Sequence, residues 1–174
     1  DKKIKYKKFN LPELKRSAVD DWKKVLLEAG LWSYIKQRPF DSVAQPVAEP
    51  KSIFVSTNDT APLAPDYAYL LNGEENAFQE GLKVLANLTK GKVYLGVKAG
   101  TDYKGFTEAK KVELVEIAGP HPAGNASVMI EKLEQMNKGE VVWTLSPLAV
   151  LFIGRFALNG QIDFTKKVAL TGPE

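Results

Sequence analysis

Residues 112–133 read VELVEIAGPHPAGNASVMIEKL, and this stretch decides the fold class. Its first six residues alternate apolar and charged side chains, as strands do, and the run that begins at Ala126 has the apolar spacing of a helix. Between them lies a turn with two prolines, the only histidine and a Gly-Asn pair. The stretch therefore predicts a strand, a stiff turn and a helix, which together form the repeating unit of α/β proteins.

Short apolar strands and amphipathic helices alternate along the rest of the chain as well. The pattern predicts strands at 52–56, 93–97, 112–117, 141–145 and 166–170, helices at 18–29, 31–37, 74–89, 125–136 and 147–159, and a polar connection at 99–110. Valine-rich strands joined by helices are typical of a parallel sheet that is covered on both faces. We therefore expect an α/β, Rossmann-like fold with a mostly parallel sheet and helices on both faces.

The most apolar stretch, residues 141–158, has about the length of a membrane span. Ser146-Pro147 inside it is a helix start, with serine as the N-cap and proline at the first helical position. We therefore predict a buried strand that contains Trp143, followed by a core helix that Gly160 ends.

Composition sets limits on the function. The chain has 174 residues, and we expect one domain over 1–174, with 1–13 as an N-terminal arm or linker. The net charge of +3 is too small to argue for nucleic acid as a partner. The arm contains five lysines. This pattern predicts a solvated edge or, alternatively, attraction to an anionic membrane surface. No signal peptide is visible. Because no initiator methionine opens the chain and residues 168–174 end it in a predicted strand and turn, we expect a piece of a larger protein.

Most motifs that carry chemistry are missing from the sequence. It contains no cysteine, which excludes disulfides, iron–sulfur clusters and thiolate zinc sites. It has no dinucleotide or triphosphate glycine motif and no G-x-S-x-G nucleophile. A single histidine makes a histidine-based metal site improbable. We therefore expect no self-sufficient catalytic site.

The turn between strand and helix remains the candidate ligand or interface site, and it comprises Pro120, His121, Pro122, Gly124 and Asn125. In α/β folds such turns lie at the carboxyl edge of the sheet, where ligands bind and where helix N-termini attract anions. We expect a surface cleft there for a partner or a ligand headgroup rather than for catalysis. The alternative is that proline and glycine only shape the turn.

Several segments together resemble the A subunit of the bacterial sodium-translocating NADH:quinone oxidoreductase. The most specific are Gly119-Pro120-His121-Pro122-Ala123-Gly124 and the Asn-Asp-Thr-Ala-Pro-Leu-Ala string at 58–64. The others are Gly30-Leu31-Trp32, Arg38-Pro39-Phe40, 81–85, 88–94 and 168–173. The resemblance implies the middle, Rossmann-like domain of a longer subunit that supports quinone reduction coupled to sodium export.

The same resemblance extends, more distantly, to the flavin- and NADH-binding subunit of respiratory complex I. The glycine-rich, flavin-binding loop of that relative corresponds here to residues 30–39, GLWSYIKQRP, which lack glycine after the first position. Bulky Trp32, Tyr34 and Ile35 imply a filled site and no cofactor bound by this chain.

The resemblance also implies where such a subunit lies and which partners it has. Flavins and iron–sulfur clusters belong to other subunits, and quinone is a possible ligand of the full subunit. The subunit is expected to be peripheral, on the cytoplasmic face of the bacterial inner membrane, with other subunits as partners and the membrane contacted through them. Two alternatives stay open: a flavin- or NADH-binding oxidoreductase domain, and a free domain that binds a small ligand at the Pro-His-Pro turn.

Overall fold

The computed structural model describes residues 7–168 and 172, and within them six strands form one sheet. The strands are β1 (Lys36–Arg38), β2 (Ser42–Val43), β3 (Ser52–Ser56), β4 (Lys92–Lys98), β5 (Glu113–Ile117) and β6 (Val142–Leu145), in the order β2-β1-β6-β3-β4-β5. Strands β6, β3, β4 and β5 run parallel, whereas β1 is antiparallel to both β6 and β2. The predicted α/β fold with a mostly parallel sheet is confirmed.

The described helices are α1 (Val19–Glu28), α2 (Tyr67–Leu71), α3 (Glu75–Leu88), α4 (Lys104–Thr107), α5 (Ala126–Leu133) and α6 (Pro147–Asn159). Helices α1, α3, α5 and α6 follow the predicted alternation, although α5 ends three residues before the predicted 136. Helices α2 and α4 lie where no helix was predicted. The bounds of α6 are those that the sequence predicts. Ser146 caps its N-terminus, because the hydroxyl accepts a hydrogen bond of 3.2 Å from the Ala149 N–H. Gly160 ends it in the left-handed conformation, at φ +65°. No helix in the described part of the chain has both the length and the apolar composition to cross a membrane.

Side chains of the parallel strands alternate between two cores. On one face, Ile53, Val55 and Trp143 are fully buried beneath α1, α3 and α6. On the other face, Phe54 and Tyr94 stack with ring centroids 4.8 Å apart and pack with apolar residues of α5. Helices therefore cover both faces, as predicted, although α5 alone covers the second face among the described residues.

Helices α3 and α6 touch through their backbones. A Cβ on Gly154 would lie 1.7 Å from the Ala77 carbonyl oxygen, and one on Gly81 would lie 2.1 Å from the Val150 carbonyl oxygen. Because any larger residue would collide with main-chain atoms at these positions, glycine is required there. The two helices thus form one tightly packed layer over the sheet.

The helix expected at 31–37 is wrong beyond its first turn. Leu31–Tyr34 forms a 3₁₀ turn, and the chain then enters strand β1, where Lys36 pairs with Thr144 of β6. This strand is short and polar, and one of its two partners, β6, lies more than a hundred residues away. Local periodicity therefore holds no sign of it.

Two further expectations differ from the structure. The connection at 99–110 contains the short helix α4, which Phe106 ties to the core. Of the strand expected at 166–170, residues 166–168 carry no regular structure, and 169–170 lie outside the described residues. Side chains hold this segment instead, because the Lys167 ammonium donates to the Asn72 carbonyl at 2.9 Å and the Arg155 guanidinium donates to the carbonyl of adjacent Thr165 at 2.6 Å.

Part of the N-terminal arm also packs on the domain. The Phe9 ring meets Phe156 of α6 edge-on, with centroids 5.3 Å apart, and the Phe9 N–H donates to the Gly160 carbonyl at 2.8 Å. Residues 1–6 of the arm lie outside the described residues.

Trp143 offers a test of the core. It is fully buried on β6, between β1 and β3, and its ring meets that of Trp32 edge-on at 5.3 Å. Trp143→Ala should lower the free energy of unfolding by about 3–5 kcal/mol, because it leaves a cavity that rigid strands cannot close. Urea denaturation measures this. Phe40→Ala, at a residue that is 88% exposed, is the control and should have little effect. Equal stability of the two variants would contradict this core.

Candidate functional site

The candidate turn lies at the carboxyl edge of the parallel strands. After β5, residues 118–125 run across the end of the sheet and lead into α5. The Ala123 N–H donates to the Pro120 carbonyl at 2.9 Å. The Asn125 N–H donates to the Pro122 carbonyl, also at 2.9 Å. The turn is therefore rigid by its own hydrogen bonds as well as by its prolines.

The loop that follows β3 is fastened to this turn at Gly124. A Cβ at Gly124 would lie 1.8 Å from the Asn58 carbonyl oxygen, so only glycine fits there. The Gly124 N–H donates to the Thr60 hydroxyl at 3.1 Å, and the Ser56 hydroxyl donates to the Gly124 carbonyl at 2.7 Å. The two most specific sequence motifs thus meet in one rigid contact.

His121 lies on the outside of the turn, exposed to solvent. Its Nδ1 is 3.3 Å from the Thr60 hydroxyl oxygen. The Gly124 N–H already donates to that oxygen, so the Thr60 hydroxyl proton can point at Nδ1 in the tautomer that carries no proton there. Within the described residues, this is the hydrogen bond that the imidazole makes, and a carboxylate does not take part in it. The geometry therefore orients the ring but supplies no acid–base pair.

A crevice of about 340 Å³ opens beside the turn, at the carboxyl ends of β3 and β6. Strand β3 lies between β4, the next strand along the chain, and β6, which comes last. The strand order therefore reverses at β3, and the crevice lies at this point. The polar residues that line the crevice include Arg38, Ser56, Tyr67, Asn125, Ser127 and Ser146. Of the candidate residues, Gly124 and Asn125 line it, whereas Pro120, His121 and Pro122 face outward.

Two helix N-termini meet in this crevice, because α5 starts after Asn125 and α6 starts after Ser146. Their partial positive charge favours a polar or anionic group, although Pro147 has no N–H and Ser146 already caps the Ala149 N–H of α6. Asp59 also lines the crevice, and its negative charge disfavours an anionic group there. Burial and the negative charge of Asp59 together raise the pKa of the Tyr67 hydroxyl. The crevice therefore has mixed polarity rather than a purely cationic lining.

Residues 31–38 contribute side chains to the core. The Trp32 indole N–H donates to the Ala44 carbonyl at 2.7 Å, and Ile35 is fully buried. Tyr34 packs against Phe152 of α6, with ring centroids 5.9 Å apart. The segment is thus filled with packed rings, unlike a glycine-rich loop whose backbone can approach a phosphate.

A second cleft, of about 480 Å³, lies at the carboxyl ends of β3 and β4, and sequence reasoning missed it. Its charged lining consists of Asp59, Asp66, Lys98 and Asp102. Polar residues that follow two neighbouring parallel strands were the available signal. The described residues hold no group of histidine or acidic side chains arranged to bind a metal ion.

Comparison with known proteins identifies what this chain resembles. A family model described as the NqrA second alpha/beta domain matches residues 17–162. The A subunit of the Na(+)-translocating NADH-quinone reductase of Yersinia pseudotuberculosis is 34% identical over 174 residues, which is 100% of this chain and 39% of the relative. The protein of the same name from Alcanivorax borkumensis is 37% identical over 169 residues, 97% of this chain and 37% of the relative.

A third relative of that name, from Neisseria gonorrhoeae, is 32% identical over 169 residues, 97% of this chain and 38% of the relative. The chain thus spans about two fifths of the length of the curated relatives it matches.

Thr60 offers a test of the contact between the two loops. Thr60→Val keeps the shape of the side chain but leaves the Gly124 N–H without its acceptor, so the free energy of unfolding should fall by about 1 kcal/mol. Thr60→Ser keeps the hydroxyl and is the matched control. Chemical denaturation compares the two. If valine and serine at this position left equal stability, the hydroxyl would not hold the loops together.

Proposed function

This chain belongs to the family of NqrA second alpha/beta domains, and on that premise we propose that it serves as a non-flavin domain of the A subunit in a sodium-translocating NADH:quinone reductase. In this role it supports quinone reduction coupled to sodium export and carries no redox group of its own. Its partners are the other subunits, which hold the flavins and iron–sulfur clusters. Quinone is a possible ligand of the full subunit.

One observation supports the absence of flavin chemistry in this domain: Leu31, Trp32 and Ile35 are buried in the core. Trp32 and Ile35 are buried against β6 and α6, in the stretch that corresponds to the flavin loop of the complex I relative. A flavin phosphate needs backbone N–H groups that it can approach closely, and bulky side chains deny that approach. The family relationship supplies the rest of the proposal, including a peripheral position on the cytoplasmic face of the bacterial inner membrane.

A second function, binding of a free small ligand, has one observation in its favour. The crevice at the reversal of the strand order has two helix N-termini and a volume of about 340 Å³. That volume falls at the small end of ligand pockets. A polar ligand there would sit beside the turn without touching His121, which faces outward.

Binding measurements test the absence of flavin chemistry. Titration calorimetry of this chain and of the full subunit with flavin mononucleotide and with NADH should give no heat of binding at physiological salt, because the phosphate cradle is filled. The purified proteins should also lack absorbance in the flavin band. Micromolar binding of either cofactor would contradict the proposal and favour the flavin- or NADH-binding alternative.

The turn is tested by His121→Ala. Since the ring is exposed and bonded only to Thr60 among the described residues, the melting temperature should hardly change. Assembly of the complex or its quinone-dependent turnover should weaken, because the turn would lose a contact with its partner. Lys138→Ala, at an exposed residue shortly before the amino end of β6, is the control. Assembly and turnover equal to the control would leave the turn as a rigid connector only.

A further inference from the structure

Leu63 has a backbone conformation and a solvent exposure that are both unusual for a leucine. It is wholly exposed, at 105% of its reference area, and its φ is +60°. Left-handed backbone strains a residue with a branched apolar side chain, whereas glycine or asparagine adopts it readily. The other non-glycine residues with positive φ among those described are polar, Asp41 and Lys111. Neither the left-handed backbone nor the full exposure to water favours a leucine at this position.

The loop around Leu63 is nevertheless held firmly. Asp59 accepts a hydrogen bond of 3.0 Å from the Ala61 N–H, and the Ala64 N–H donates to the Ala61 carbonyl at 3.1 Å. Downstream, Asp66 caps α2 by accepting from the Ala68 N–H at 2.9 Å. Prolines at 62 and 65 restrict the backbone further. The backbone that carries the leucine is therefore restrained on both sides, so that little backbone entropy is lost when a partner covers the side chain.

The charges around the loop indicate the chemistry of the partner. Exposed Asp59 and exposed Asp66 flank Leu63. Lys98 and Asp102 complete the charged lining of the cleft that both aspartates share, so its net charge is negative. Negative flanks repel an anionic lipid surface, which attracts basic segments. They suit a protein surface in which an apolar pocket has lysine or arginine at its rim.

We infer that Leu63 is the residue by which this domain anchors itself in an apolar pocket with a basic rim on another subunit of the complex; the inference rests on the proposed function. The loop that carries Leu63 is the one that Thr60 fastens to Gly124, so the leucine and the Pro-His-Pro turn belong to one rigid surface. The leucine fills the pocket, and the two aspartates meet the basic rim. An anchor side chain that is fully buried in a pocket, with surrounding contacts that exclude water, is the usual arrangement of an interface hot spot.

The test uses the full-length protein that contains this domain, together with membranes that hold the remaining subunits of the complex but lack that protein. Binding is measured by sedimentation for the wild type, Leu63→Asn, Leu63→Asp and Leu63→Met. The asparagine and aspartate variants should bind about tenfold more weakly or worse, and methionine should bind almost as the wild type does. The melting temperature of Leu63→Asn should be unchanged or higher, because asparagine tolerates the left-handed backbone. Phe40→Asn, at an exposed apolar residue beside the amino end of β6, is the matched control and should bind normally.

Each other outcome has a distinct meaning. Wild-type affinity in Leu63→Asn would overturn the anchor but leave the proposed function intact. A different result would be that the wild type binds protein-free vesicles of anionic lipid as tightly as it binds the membranes, with this binding lost in Leu63→Asn. That result would overturn the protein pocket and show that Leu63 inserts into the lipid surface. If the wild-type protein failed to bind the membranes at all, the proposed function itself would fall.

Discussion

The contact between Gly124 and the Asn58 carbonyl is the constraint on which the arrangement of this domain depends. Strand β5 lies at one edge of the sheet, and β6 lies on the far side of β3, so the chain must return across the strand ends. It can do so closely because glycine lets the returning backbone touch the loop after β3. This passage sets α5 on the second face, brings its N-terminus beside that of α6 and creates the crevice between them.

Local signals predicted the parallel part of the sheet well. Apolar runs bounded by turn residues predicted β3 and β6. Ser146-Pro147 and Gly160 predicted the two ends of α6, because capping residues act within one helical turn. The antiparallel strands β1 and β2 were missed for the opposite reason. Their residues are few and mostly polar. Strand β1 pairs with β6, which lies far along the chain, and β2 pairs with β1 at the edge of the sheet. Such pairing leaves no trace in local periodicity.

The candidate site, like the fold, could be predicted from the sequence only in part. A stiff strand-to-helix turn at the carboxyl edge could be predicted, because parallel strands end together. The roles of Thr60 and Ser56 could not, since they depend on which loops the topology brings into contact. The backbone of Leu63 is a clearer case: composition shows a leucine between prolines, and only the dihedral angle shows that it is strained. The candidate site is thus formed by several loops rather than by one motif.

The backbone contact between α3 and α6 has a consequence for how the domain opens. With Gly81 and Gly154 at the crossing, main-chain atoms of the two helices fill the space where side chains or water would otherwise lie. Amide protons on the facing sides have no route to solvent unless the helices separate as whole units. Slow hydrogen exchange in α3 and α6 should therefore share one opening event, which makes the pair a single foldon. Fluctuations of the loops at the strand ends can then occur while this layer stays closed.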